Sequence, residues 1–72
     1  MDEKKLLRDF GLNMKIYRKQ LKLTQNDIMA MTGFSKSYIS NVEAGKYNLS
    51  IVSAIKFAMV LNKNLSDMFR KL

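Results

Sequence analysis

Lys36, Ser37, Ser40 and Asn41 fall within six consecutive residues and, at helical spacing, share one outward face. An ammonium, two hydroxyls and a carboxamide offer no bond-making chemistry, but they are the hydrogen-bonding groups that read the edges of planar heterocycles. On a helix lying in the major groove of B-DNA, about 12 Å wide, Lys36 could donate to guanine O6 and N7. Ser37 could bond in either sense, and Asn41, one turn further on, could pair bidentately with adenine or reach a phosphate. Ser40 is a weaker reader on the same face. The plain alternative for all four is a solvated helix surface. Covalent chemistry is poorly served elsewhere, because the 72 residues include no His and no Cys, and the acids form no cluster. The commonest general base, the thiolate nucleophile and the usual metal ligands are therefore missing. The expectation is a protein that is not an enzyme and carries no metal or other cofactor.

Charge points the same way. Thirteen Lys and Arg against six Asp and Glu give a net charge of +7, which suits a polyanion such as nucleic acid. Many small soluble proteins are also basic, so charge alone does not decide. No apolar run approaches the ~20 residues of a membrane span, and the opening MDEKK lacks the apolar region of a signal peptide. The chain is expected to be cytoplasmic, with no membrane partner.

The elements that must position the polar face lie in TQNDIMAMTGFSKSYISNVEAG, from Thr24 to Gly45. Thr24 can cap a first helix, with Asp27 three residues on completing a capping box and Leu23 and Ile28 at the staple positions. Ser35 repeats the device for a second helix, roughly Lys36 to Ala44, with Phe34 and Ile39 as its staple. Gly33 between them tolerates positive φ, and Ile28, Met31, Ile39 and Val42 give both helices an inward side. Two short capped helices about a glycine turn form a helix-turn-helix pattern. Gln25, first after its cap, sits where helix-start N–H groups point outward, a natural phosphate-binding end. Lys46, Tyr47 and Asn48 follow the second helix and could clamp further phosphates, the alternative being an ordinary polar loop.

Around this unit the chain reads as helix throughout. From about Glu3 to Leu21, residues Leu7, Phe10, Met14, Tyr17 and Leu21 recur at spacings of three and four as a core-facing stripe. Leu12 and Ile16 form an apolar flank beside it, so either the stripe is wide or the flank meets something. Ser50 looks like another N-cap, and Ile51 to Leu61 is apolar almost all round, which predicts burial on more than one side. Asn62 to Asn64 interrupt it, and Leu65 to Arg70 make a last short helix. The expectation is an all-α, single-domain chain over residues 1–72 with five helices and a modest core that dimerisation would help to stabilise. Leu65, Met68, Phe69 and Leu72, with Val60 or Met59, exceed what that core needs and suggest a dimer surface. Alternatively they cap the protomer's own core.

From Phe10 to Phe69 the sequence resembles the phage-repressor and Cro-type helix-turn-helix family. The match runs through FG near the start, Arg18 late in helix one, TQ opening helix two and Gly33 at the turn. It continues through SKSYIS, then Glu43 and Gly45, then SIVSAIKFAMVLN as helix four. Within the family, the segment NVEAGKYNLSI is most similar to the controller proteins of restriction and modification systems. The resemblance implies a compact five-helix repressor-like domain, base reading by the Lys36, Ser37, Ser40 and Asn41 positions, and a phosphate contact from Gln25. It implies that Tyr38 packs beside the DNA backbone and touches phosphate. Arg18 and Glu43 would form a partly buried ion pair joining helix one to the end of helix three, with a direct DNA contact from Arg18 as the alternative. The implied partners are a double-stranded DNA operator and a second copy of the chain, with RNA polymerase as a further candidate. The implied function is a sequence-specific dimeric transcription regulator reading half-sites about 34 to 36 Å apart. An antitoxin or adaptor using the same fold to hold a protein is the alternative. One departure is Met29, where the family usually carries Ala because two helices approach closely. A small rotation that exchanged it with Ala30 would relieve the crowding.

Overall fold

A computed structural model describes residues 2–71. Four α-helices, α1 (Glu3–Gln20), α2 (Gln25–Thr32), α3 (Lys36–Glu43) and α4 (Ile51–Val60), are followed by a 3-10 helix at Leu65–Phe69. The expected fifth α-helix is thus a 3-10 helix. Asn64 and Asp67 cap its start reciprocally and Arg70 N closes back on Asp67 O, leaving five residues, a length that suits i→i+3 bonding.

Short polar side chains start each helix, at Thr24, Ser35 and Ser50 as the sequence leads one to expect and also at Asp2 and Asn64. Thr24 Oγ1 accepts from Asp27 N at 3.0 Å while Thr24 N donates to Asp27 Oδ2 at 2.7 Å. That backbone bond, reinforced by the Thr24 side chain, holds the Asp27 carboxyl below the usual carboxylate range. Ser35 and Ser50 accept from Tyr38 N and Ser53 N in the same way. The helix ends share a different device, a residue in the left-handed region: Lys22 (φ 59), Gly33 (φ 79), Gly45 (φ 73) and Asn62 (φ 60). At three of them, paired backbone bonds complete the Schellman pattern, such as Lys46 N to Asn41 O with Gly45 N to Val42 O.

The core gathers Phe10, Met14 and Tyr17 of α1 with Ile28, Ile39, Val42, Phe57, Leu61 and Met68. Phe57 lies at its centre, its ring 5.0 Å from Phe34 and 6.3 Å from Phe10. Gly11 lets α1 and the end of α3 touch backbone to backbone. A Cβ there would stand 2.6 Å from the Glu43 carbonyl oxygen and closer still to that of Val42. Asn13, fully buried, shares its amide hydrogens among the carbonyls of Asp9, Met68 and Arg70. With Tyr17 Oη donating to Asp67 O at 2.9 Å, it fastens the C-terminal segment onto α1.

Several inward assignments need correcting. Leu21 and Met31 are 47% and 49% exposed. Each sits at or next to the last turn of its helix, where the chain is already leaving the core. The α1 stripe widens to the half-buried Ile16 but not to the exposed Leu12. Helix α4 buries one face only, Ala54, Phe57 and Ala58, and leaves Ile51, Val52, Ile55 and Met59 in solvent. No exchange occurs at Met29, which packs half-buried against the core while Ala30 stays exposed. An unbranched thioether fits the irregular gap without rotation.

Two stability outcomes follow. Lys22→Gly removes a side chain from a left-handed position and should stabilise the protein by about 0.5–1 kcal/mol, seen as a rise in Tm of a few degrees. Gly11→Ala improves helix propensity yet drives a methyl into two backbone carbonyls, so a loss of about 1–3 kcal/mol is expected by denaturant titration. A neutral Gly11→Ala would mean that the α1–α3 approach is looser than described.

Candidate nucleic-acid interface

Three hydrogen bonds from one guanidinium decide where α3 points. Arg18 Nε donates to Glu43 Oε2 at 2.7 Å and Nη2 to Glu43 Oε1 at 3.1 Å, while Nη1 donates to Leu23 O at 2.9 Å. The two side chains are 10% and 5% exposed. Each guanidinium nitrogen of Arg18 thus has a partner within the protein, which pins α1 to the end of α3.

Gln25, at the first position of α2, turns its Nε2 onto Glu43 Oε1 at 3.1 Å. Its side chain thus lies over the ion pair, half-buried, with one of its two Nε2 hydrogens engaged there. Sequence reasoning had no means to see this third donor.

The outer face of α3 is set by that pin. Lys36, Ser37 and Ser40 are exposed along it. Asn41 is half-buried on the same side, its Nδ2 donating to Ser37 O at 2.8 Å, so that Oδ1 is left as the free acceptor. The second Nδ2 hydrogen and Oδ1 are the groups it can turn to a base. Tyr38 lies on the opposite side of the helix in an aromatic cluster, with ring centroids 5.1 Å from Phe34, 5.7 Å from Tyr47 and 6.1 Å from Phe57. Packing accounts for it first. Lys46, Tyr47 and Asn48 are exposed just beyond the Gly45 turn.

Lys15 and Lys19 of α1 line the same notch as Gln25, Ser40 and Ala44. Lys4 and Arg8 line a second notch with Lys46 and Asn48. Their common face was readable from spacing, but their place beside α3 depends on the Gly11 crossing.

The suggested dimer residues separate. Met68 is 0% exposed and belongs to the protomer's own core, because Asn13 and Tyr17 draw the 3-10 helix inward. Leu65 packs half-buried against that core, Phe69 is partly exposed with its ring 5.5 Å from Phe10, and Leu72 lies outside the described residues. Among the described residues no helix is long and apolar enough to cross a membrane.

Comparison with known proteins agrees with this geometry. A helix-turn-helix family profile matches residues 14–68. The chain is 34% identical over 61 residues to y4dJ of Sinorhizobium fredii, described as an uncharacterised helix-turn-helix-type transcriptional regulator, covering 85% of this chain and 75% of that protein. It is also 34% identical over 61 residues to the control protein C.MunI of Mycoplasma sp., covering 83% of this chain and 82% of the other. The crystal structure of the restriction-modification controller protein C.AhdI from Aeromonas hydrophila superimposes with a TM-score of 0.81 at 30% identity, covering 88% of this chain and 96% of that one. With a capped bihelical unit, a pinned α3 and relatives of this kind, the chain belongs to the helix-turn-helix family of DNA-binding transcription regulators.

Proposed function

We propose that this protein is a sequence-specific dimeric regulator that reads operator half-sites with α3, of the controller type named for C.MunI and C.AhdI. The observation that carries the reading is the exposed row of Lys36, Ser37 and Ser40 on a helix held by a buried ion pair, so that donors and acceptors are presented in fixed register. Asn41 joins them through its second Nδ2 hydrogen and its Oδ1. Phosphate contacts from Gln25 at the start of α2 and from Lys46, Tyr47 and Asn48 beyond α3 would set the register on the duplex.

A single recognition helix covers too few base pairs to select one site in a genome, and two-fold pairing is the usual remedy. The exposed stripe Ile51, Val52, Ile55 and Met59 on α4, with Phe69 and Leu65 at its edge, supports pairing there rather than through Met68. A protein partner is the second reading, and the exposed Leu12 is what favours it. Selection of bound sequences from a random duplex library tests the choice. An enriched palindrome with half-site centres about 34 to 36 Å apart supports the regulator, and no enrichment removes it.

Lys36→Ala and Asn41→Ala should each lose about 1–3 kcal/mol of discrimination between the selected site and random DNA, whereas Gln25→Ala should weaken both similarly. Equal losses on both DNAs for all three variants would overturn the role assignments. Met59→Glu places a charge on the most exposed α4 position, 71% accessible, and should convert dimer to folded monomer in sedimentation equilibrium. A wild-type protein that stays monomeric at every concentration, or a Met59→Glu variant that stays dimeric, would exclude the α4 interface.

A further inference from the structure

Four cations of α1 have no role in the account so far. Lys4, Arg8, Lys15 and Lys19 follow one another at i, i+4, i+11 and i+15, and at about 100° per residue they fall within about 60° of one helical face. All four are exposed, and none forms an ion pair among the described residues, where the pairs are Lys5–Asp9, Arg18–Glu43 and Arg70–Asp67. Gly11, on the same face, is where α1 rests on the end of α3. The crossing splits the stripe into two pairs. Lys15 and Lys19 open onto the notch of Gln25 and Ser40, and Lys4 and Arg8 onto the notch of Lys46 and Asn48.

For the isolated protein this placement is unfavourable. Each pair sets like charges at i and i+4, where they repel. Lys4 and Arg8 also occupy the first two turns of α1, where the helix dipole disfavours cations. A ligand that removes the repulsion has to be an extended polyanion with negative charge on both sides of the α3 end. Lys4 and Lys15, eleven residues apart, are separated by about 16 Å along α1, comparable with a major groove about 12 Å wide together with the strands that border it.

We infer that α1 is a second DNA-contacting element: Lys15 with Lys19 neutralises phosphates on one strand bordering the groove, and Lys4 with Arg8 neutralises those on the other. This rests on the reading of α3 as a recognition helix, and it adds a sequence-independent share of affinity that the bihelical unit alone does not supply.

The test is the salt dependence of binding to mixed-sequence duplex DNA, measured for the full chain and for the Lys4→Gln/Arg8→Gln and Lys15→Gln/Lys19→Gln double variants. Lys63→Gln/Lys71→Gln removes the same charge outside the stripe and serves as control. Each stripe variant should flatten the slope of log K against log salt by about 1.8 per bound protomer, from about 0.9 per lost phosphate contact, and should melt at or above the wild-type temperature because a repulsive pair has gone. The control should leave the slope close to wild type. Stripe variants whose slopes equal the control overturn the inference, and a loss confined to one pair overturns the two-strand arrangement. A wild-type protein with no salt-dependent DNA binding at all would instead remove the α3 reading on which this depends.

Discussion

The bidentate pair between Arg18 and Glu43 is the contact on which the rest of the molecule turns. Desolvating two charges costs several kcal/mol, and their attraction in the interior roughly offsets this, so such a pair adds little net stability. What it adds is geometry. The guanidinium also holds Leu23 O, and the carboxylate also accepts from Gln25, so one buried cluster joins α1, the α1–α2 turn, the start of α2 and the end of α3. An apolar replacement could pack as well, but it would not fix the rotation of α3 about its own axis. That rotation is what decides whether Lys36, Ser37 and Ser40 face outward together.

Two further constraints support the pin. Gly11 allows α3 to approach α1 until backbones touch, which brings the carboxylate of Glu43 within reach of Arg18 seven residues along the same helix. Asn13 then ties the C-terminal segment to the far side of α1 by paying out its amide hydrogens to carbonyls more than fifty residues away. With α1 engaged on both sides, α4 is left with the broadest open apolar face among the described residues. The division is consistent with a rigid reading head and a separate surface for association.

Helix starts were legible because an N-cap is a contract between residues three apart: Thr24, Ser35 and Ser50 all cap as their types suggest. The ion pair was legible only through family resemblance, since nothing in the spacing of Arg18 and Glu43 connects them. Gly11 and Asn13 were not legible at all. Their meaning depends on which backbone approaches, and that is a property of the assembled fold. Apolar pattern misled in a consistent direction: Met31 and Leu21 satisfy the period but lie where a helix is ending, and the apolar surround of α4 was taken for burial. The left-handed conformations of Lys22 and Asn62 were hidden for a similar reason, because neither carries the glycine that marks Gly33 and Gly45.

The state of Asn41 bears on how such a surface would discriminate. Its amide spends one hydrogen on Ser37 O, so a correct base would pair with the second hydrogen and Oδ1, and because these exchange water for the base the net gain is small. A wrong base is different, because closure of the groove around α3 would then leave a donor or acceptor buried without a partner, and that penalty is the larger quantity. Lys36 is exposed and forms no ion pair among the described residues, so on the proposed reading its contact with a guanine displaces only water. On the proposed reading, selectivity therefore comes from the cost of mismatch at Asn41 and Ser37 together with the guanine contact of Lys36. The sequence-independent share of affinity would then come from phosphate contacts on other elements, so the two could be altered separately while the buried ion pair keeps the orientation of α3.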